Sequence, residues 1–190
     1  MPNIRPFRDI DEHDVRNGFY TWTGAIPASK GLLVKIGSGW STETELAELG
    51  NAGAGYNNVV SQRVGLTCGV GPVTQSGDNV YGMLLYDVRE VDENGELLKW
   101  NAAKQARMQC TLSGQSVVLV KRGLFLYSGV NGGATPVVGV VPGAPAYAAA
   151  DGGINVTGSA AGAANQATKV GQFAGVPNAQ GWVLLDLDIR

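Results

Sequence analysis

The stretch KVGQFAGVPNAQGWVLLDLDIR, Lys169–Arg190, decides how this chain is read. Two apolar runs, Val170 to Phe173 and Trp182 to Ile189, flank a turn rich in Gly, Pro and Asn. In the second run Val183, Leu185, Leu187 and Ile189 fall on one face, and Trp182, Leu184, Asp186 and Asp188 on the other. Successive side chains of a pleated backbone point to opposite sides, so a period of two marks a strand with one buried face. The two runs are expected to pair as a hairpin.

Similar strand signals recur upstream. Phe19–Ile26 is rich in aromatic residues and Thr, and Gly31–Gly39 encloses an apolar run between glycines. In Val80–Trp100 two strand-like runs flank Asp92-Glu93-Asn94-Gly95, where Asn-Gly suits a hairpin turn with positive φ. Ser116–Gly129 reads as two short strands broken at Gly123, and Thr135–Gly153 as two more with Pro-Gly punctuation. The 28 Gly and 8 Pro follow no collagen period and punctuate many turns. The best helix candidate is Ser41–Gly50, with Ser41 or Thr42 as cap, acids in the first turn and Gly50 as terminator. The fold class expected is all-β: a β-sandwich or β-barrel of short antiparallel strands, with at most one or two short helices. Two regions follow: an extended N-terminal arm over residues 1–18, where Pro2 and Pro6 oppose a regular start, and a β-rich domain over 19–190. A loop region around 41–58 is inserted in that domain, and residues 158–168 form a stretch of small residues.

Charged residues make up 16% of the chain, below the roughly 25% typical of soluble domains. The formal net charge is −2, and no Lys/Arg block supplies the electrostatic footprint of a nucleic-acid binder. No apolar stretch approaches the roughly 20 residues that span a bilayer. The N-terminal residues include Arg5, Arg8 and Asp9 and lack a signal-type apolar region, so synthesis and retention in a cytoplasm are expected.

No set of residues points to catalysis. The one histidine, His13, stands in the acidic segment DIDEHD and reads as a solvated residue of the arm. The glycine-rich Gly50–Asn58 has neither the dinucleotide fingerprint nor the Lys-Ser/Thr of a P-loop. Glu90, Asp92, Asn94 and Gly95 imitate the start of an EF-hand loop, but the twelfth position is Asn101 where a bidentate Glu is required. Cys68 and Cys110 read as buried thiols, and Asn155 as a chance sequon. No catalytic, cofactor or metal residue is assigned. Asp186 and Asp188, two apart on one strand face, are the acids a small β-fold enzyme would use.

The terminal hairpin, with Val120–Gly129 and Gly132–Gly158 before it, resembles the close of small capsid decoration proteins, the cement or head-stabilising proteins of tailed bacteriophages. The resemblance covers about the last 75 residues, from residue 116 to residue 190, and is one of composition and strand pattern. The segment Phe19–Asn101 departs from the smallest members. The resemblance implies a non-enzymatic virion protein, made in the host cytoplasm and held on the outer capsid surface. Its partner would be the major capsid protein, whose subunit joints it would strengthen without covalent bonds. It would act as a homotrimer, or as a dimer, and without cofactor, nucleic acid or membrane. The arm residues Ile4, Arg5, Phe7, Arg8 and Ile10 are the expected capsid or subunit contacts. The alternative is a fibre or tail module that stacks a host glycan on Trp22, Trp40 or Trp100.

Overall fold

The computed structural model describes residues 2–20, 27–41, 67–113, 115–133, 139–158 and 167–189. Trp22, the Ser41–Gly50 helix candidate apart from Ser41 itself, and the Gly50–Asn58 loop lie outside them, as do most of the small-residue stretch and the Trp40 and Cys68 side chains. The all-β expectation holds. The strands are β1 (Asn3–Pro6), β2 (Val15–Tyr20), β3 (Leu33–Ser41), β4 (Thr67–Pro72), β5 (Gly82–Leu84), β6 (Asp87–Val88) and β7 (Cys110–Thr111). They continue with β8 (Ser116–Val120), β9 (Arg122–Ser128), β10 (Pro145–Ala148), β11 (Ile154–Asn155), β12 (Lys169–Phe173) and β13 (Val183–Asp188). One α-helix, α1 (Ala102–Met108), lies among the described residues.

Two sheets carry the architecture. Strands β2-β4-β3-β5-β8 close a barrel, and β1-β9-β13-β12-β10-β11 form an open six-stranded sheet. The open sheet is antiparallel throughout. The β2–β4 pair of the barrel and the small β6–β7 pair are parallel, which the turn-rich sequence does not announce.

The two sheets share a core. Leu33, Met83 and Val120 of the barrel strands pack outward against Ile4, Phe125, Phe173, Leu185 and other buried residues of the open sheet. Their neighbours Val34, Leu84 and Leu119 turn into the barrel beside Tyr20, Val70 and Val117. These barrel strands are therefore buried on both faces, so they read as unbroken apolar runs rather than as alternation.

The terminal hairpin forms as its pattern requires. Strand β12 pairs with β13, with Gly171 opposite Leu187 and Phe173 opposite Leu185. Val183, Leu185, Leu187 and Ile189 are all buried. Gly171 is required by close approach, because a Cβ there would collide with the backbone carbonyl of Asp186.

The N-terminal segment expected as an extended arm is docked on its own domain. Strand β1 pairs with β9 at the edge of the open sheet, and Val15–Tyr20 is a barrel strand. Ile4 and Ile10 supply the apolar contacts that hold the segment to its own domain. Phe7 N–H donates to the Leu124 carbonyl (3.0 Å). Backbone groups alternate sides along a strand, so the preceding residue, Pro6, faces the open edge, where it offers no N–H for another strand to pair with.

The long interior hairpin is also shorter than its sequence suggests. The Asp92–Gly95 turn is bracketed by a single bridge, Val91 with Leu97. Gly95 alone supplies a positive φ (84°). Leu98–Trp100 then forms a 3-10 turn, and the Asn101 side chain caps α1 by accepting from Lys104 N–H (3.0 Å). The run Ala102–Arg107 consists of strong helix formers, which outweighs the strand reading of its apolar approach.

The predicted break at Gly123 falls instead at Lys121, between β8 of the barrel and β9 of the sheet. Lys121 N–H donates to the Asp14 carbonyl (2.8 Å), and its own carbonyl accepts from Ile189 N–H (2.9 Å). Its ammonium lies 5.7 Å from the centre of the Tyr81 ring.

Candidate functional site

Strand alternation divides the five contact residues read from the sequence. Ile4 is buried in the shared core, and Ile10 is half-buried against it. Both belong to the interior of the protein rather than to a contact surface. Arg5, one position on from Ile4, turns to the opposite face of the sheet, and Phe7, whose backbone N–H bonds the Leu124 carbonyl at the sheet edge, and Arg8 follow as exposed residues in the bend just past the strand.

Arg5 and Phe7 there join residues that the sequence did not single out as a site. Arg5 stands opposite Leu126, and Leu126 opposite Leu184. Phe7 is beside Leu124, which stands opposite Asp186, and Asp186 stands opposite Gln172. The outer face thus carries an apolar stripe of Phe7, Leu124, Leu126 and Leu184. Phe7 is 53% exposed, and the three leucines are half-buried. The available signal was apolar residues at both parities in RGLFLYS: Phe125 and Tyr127 fill the core, which leaves Leu124 and Leu126 outside.

Charged groups border the stripe. The Arg5 guanidinium lies 4.8 Å from the centre of the Trp182 ring, a cation–π contact that ties β1 to the terminal hairpin. Arg122 Nε donates to Asp188 Oδ1 (3.0 Å), and Gln172 Nε2 donates to Asp186 Oδ2 (3.3 Å). Asp186 and Asp188 therefore share a face, as expected from their spacing, and line a shallow depression with Lys169, Gly171 and Gln172. Each carboxylate is engaged by a neighbouring side chain.

The remaining candidates are scattered. His13 is exposed in a 3-10 turn, Glu12–Asp14, where its backbone N–H donates to Asp11 Oδ1 (2.8 Å). Trp100 is 79% exposed, with the Lys99 ammonium 5.0 Å from its ring centre. Cys110 is a buried free thiol, and burial pushes its pKa up. Asn101, the weak point of the EF-hand resemblance, is the cap of α1. Among the described residues no group of three His, Cys, Asp or Glu side chains is placed to hold a metal ion. No helix among them is long and apolar enough to cross a membrane. No protein family, curated protein or solved structure matches the chain.

Proposed function

We propose that this is a structural virion protein that binds the outer surface of a phage capsid and stabilises contacts between major capsid protein subunits. The observation that carries the reading is the outer face of the six-stranded sheet. A stripe of Phe7, Leu124, Leu126 and Leu184 bordered by Arg5, Arg122, Asp186 and Asp188 has the anatomy of a protein-binding patch, with an apolar centre and a polar rim. The strand pattern of the terminal hairpin, which resembles decoration proteins, supports the same reading. Many copies on a closed shell act together, so each contact can be weak and still hold. The working form is a homotrimer or a dimer, assembled on the virion exterior after synthesis in the host cytoplasm.

Cosedimentation tests this reading. Wild-type protein is expected to pellet with empty phage heads that lack it. Phe7→Asp combined with Leu126→Glu is expected to lower occupancy at least tenfold, with thermal unfolding preserved because both side chains face outward. Unchanged occupancy of the double variant, or no cosedimentation of the wild type, would sink the proposal. Light scattering of the purified chain reports its oligomeric state.

A second reading, glycan recognition, is favoured by the exposed Trp100 indole, which offers a flat stacking surface. A glycan array decides between the two. Binding that is lost in Trp100→Ala supports the second reading, and an array without binding removes it.

A further inference from the structure

Asp92, Lys104 and Glu96 form a cluster away from the sheet face. The Asp92 side chain is fully buried. Its Oδ1 accepts two backbone N–H groups, from Asn94 and Glu96, each at 2.8 Å. Its Oδ2 is in direct contact with Lys104 Nζ. Glu96 Oε2 lies 3.7 Å from the same nitrogen, on a side chain that is 71% exposed. Local structure builds this arrangement. The Asp92–Gly95 turn and the residue after it, Glu96, present the two N–H groups, and the Asn101 cap starts α1 so that Lys104 in its first turn comes back over Asp92.

We propose that Lys104 and Asp92 condense to an intramolecular isopeptide bond, with Glu96 as the proton shuttle. An amide-forming site needs a nucleophile held against the carboxyl group, donors for the oxyanion and a group that relays protons. Lys104 is the held amine, the N–H groups of Asn94 and Glu96 point at Oδ1, and Glu96 is within reach of the nitrogen. The pair starts as an ion pair. The Lys104 hydrogen bond holds the Asp92 carboxyl below the usual carboxylate range, and the same bond raises the Lys104 ammonium.

The first step passes one proton from Nζ to Oδ2 within the contact. The neutral amine then attacks Cγ, and the carbonyl electron pair moves onto Oδ1 between its two donors. Glu96 takes a second proton from the nitrogen and returns it to Oδ2. The Cγ–Oδ2 bond breaks and water leaves. One ammonium and one carboxylate become one amide and one water, and no oxidant, reductant or cofactor is consumed.

Mass spectrometry of the purified full chain tests the bond. The intact mass is expected to fall below the sequence mass by one water. A tryptic digest is expected to yield the peptide that follows Arg89, holding Asp92, joined to the peptide holding Lys104. Lys104→Arg keeps the positive charge, cannot form the amide and is expected at its full sequence mass. Glu96→Gln, a substitution of an exposed side chain, is expected to leave the peptides separate. Wild-type protein at full sequence mass overturns the proposal. A missing water with separate peptides, as a succinimide would give, overturns it too. Linked peptides in Glu96→Gln overturn the role given to Glu96.

Discussion

Gly171 shows how one residue position can be fixed by a neighbour's backbone. Any side chain there meets the Asp186 carbonyl across the β12–β13 pair. Gly171→Ala must therefore push the strands apart or shift the register. Overpacking of this kind costs about 1–3 kcal/mol. The variant is expected to unfold at lower urea with an unchanged transition slope, and stability equal to wild type would disprove the close approach. The sequence shows only a glycine inside an apolar run, because the clash involves a backbone from the other strand. Asp92 is similar. Its place in a hairpin turn was legible, but its burial was not, because Lys104 reaches it only once α1 has formed. The outward position of Arg5 was equally hidden. It follows from Ile4 pointing inward, and nothing local in the arm shows that a core is waiting there.

At the scale of elements, the turn between β4 and β5 is tied to β3 through Asp78. Burial pushes the Asp78 carboxyl up, but hydrogen bonds from Lys35 Nζ (2.7 Å) and from the N–H groups of Thr74 and Gln75 (3.0 Å each) outweigh it and hold it below the usual range. A carboxyl depressed in the folded state adds stability above its unfolded pKa of about 4 and loses that contribution as pH falls through the lower folded value. Asp78→Asn is expected to lower the melting temperature at neutral pH. The gap from wild type should narrow as the pH drops below about 4. A gap of constant size across that window would show that the carboxylate charge does not matter. The pattern of the elements was legible where one face meets solvent, as in β13. It was ambiguous where both faces are buried, as in β5 and β8, because an apolar run does not say which residue belongs to which core. The boundary expected at Gly123 falls two residues earlier, at the charged pair Lys121-Arg122; glycine is the usual strand breaker, but here it stays inside β9.

For the whole molecule, the N-terminal segment belongs to both sheets, which changes what truncation would do. Removing residues 1–18 takes away β1, most of β2 and the Ile4 plug of the shared core. The truncated chain is expected to lose its cooperative thermal transition, as followed by circular dichroism. A truncated chain that melts like wild type would restore the separate arm. Surface substitutions such as Phe7→Asp are therefore the sound test of contact function. The all-β class was legible from turn punctuation and strand pattern together, whereas the packing of a barrel against an open sheet was not, because it depends on pairings such as β2 with β8 between residues distant in sequence. The single residue between β8 and β9 has a consequence for cooperativity. Lys121 joins barrel to sheet by its chain and bonds both ways through its backbone, and the two sheets share a core, so the opening of one half is expected to draw on contacts of the other. Native-state hydrogen exchange is expected to find one opening free energy for Val118 in the barrel and Leu126 in the sheet. Two well-separated values would mean that the halves breathe independently. A single value would make barrel and sheet one cooperative unit, with no weaker half to unravel first.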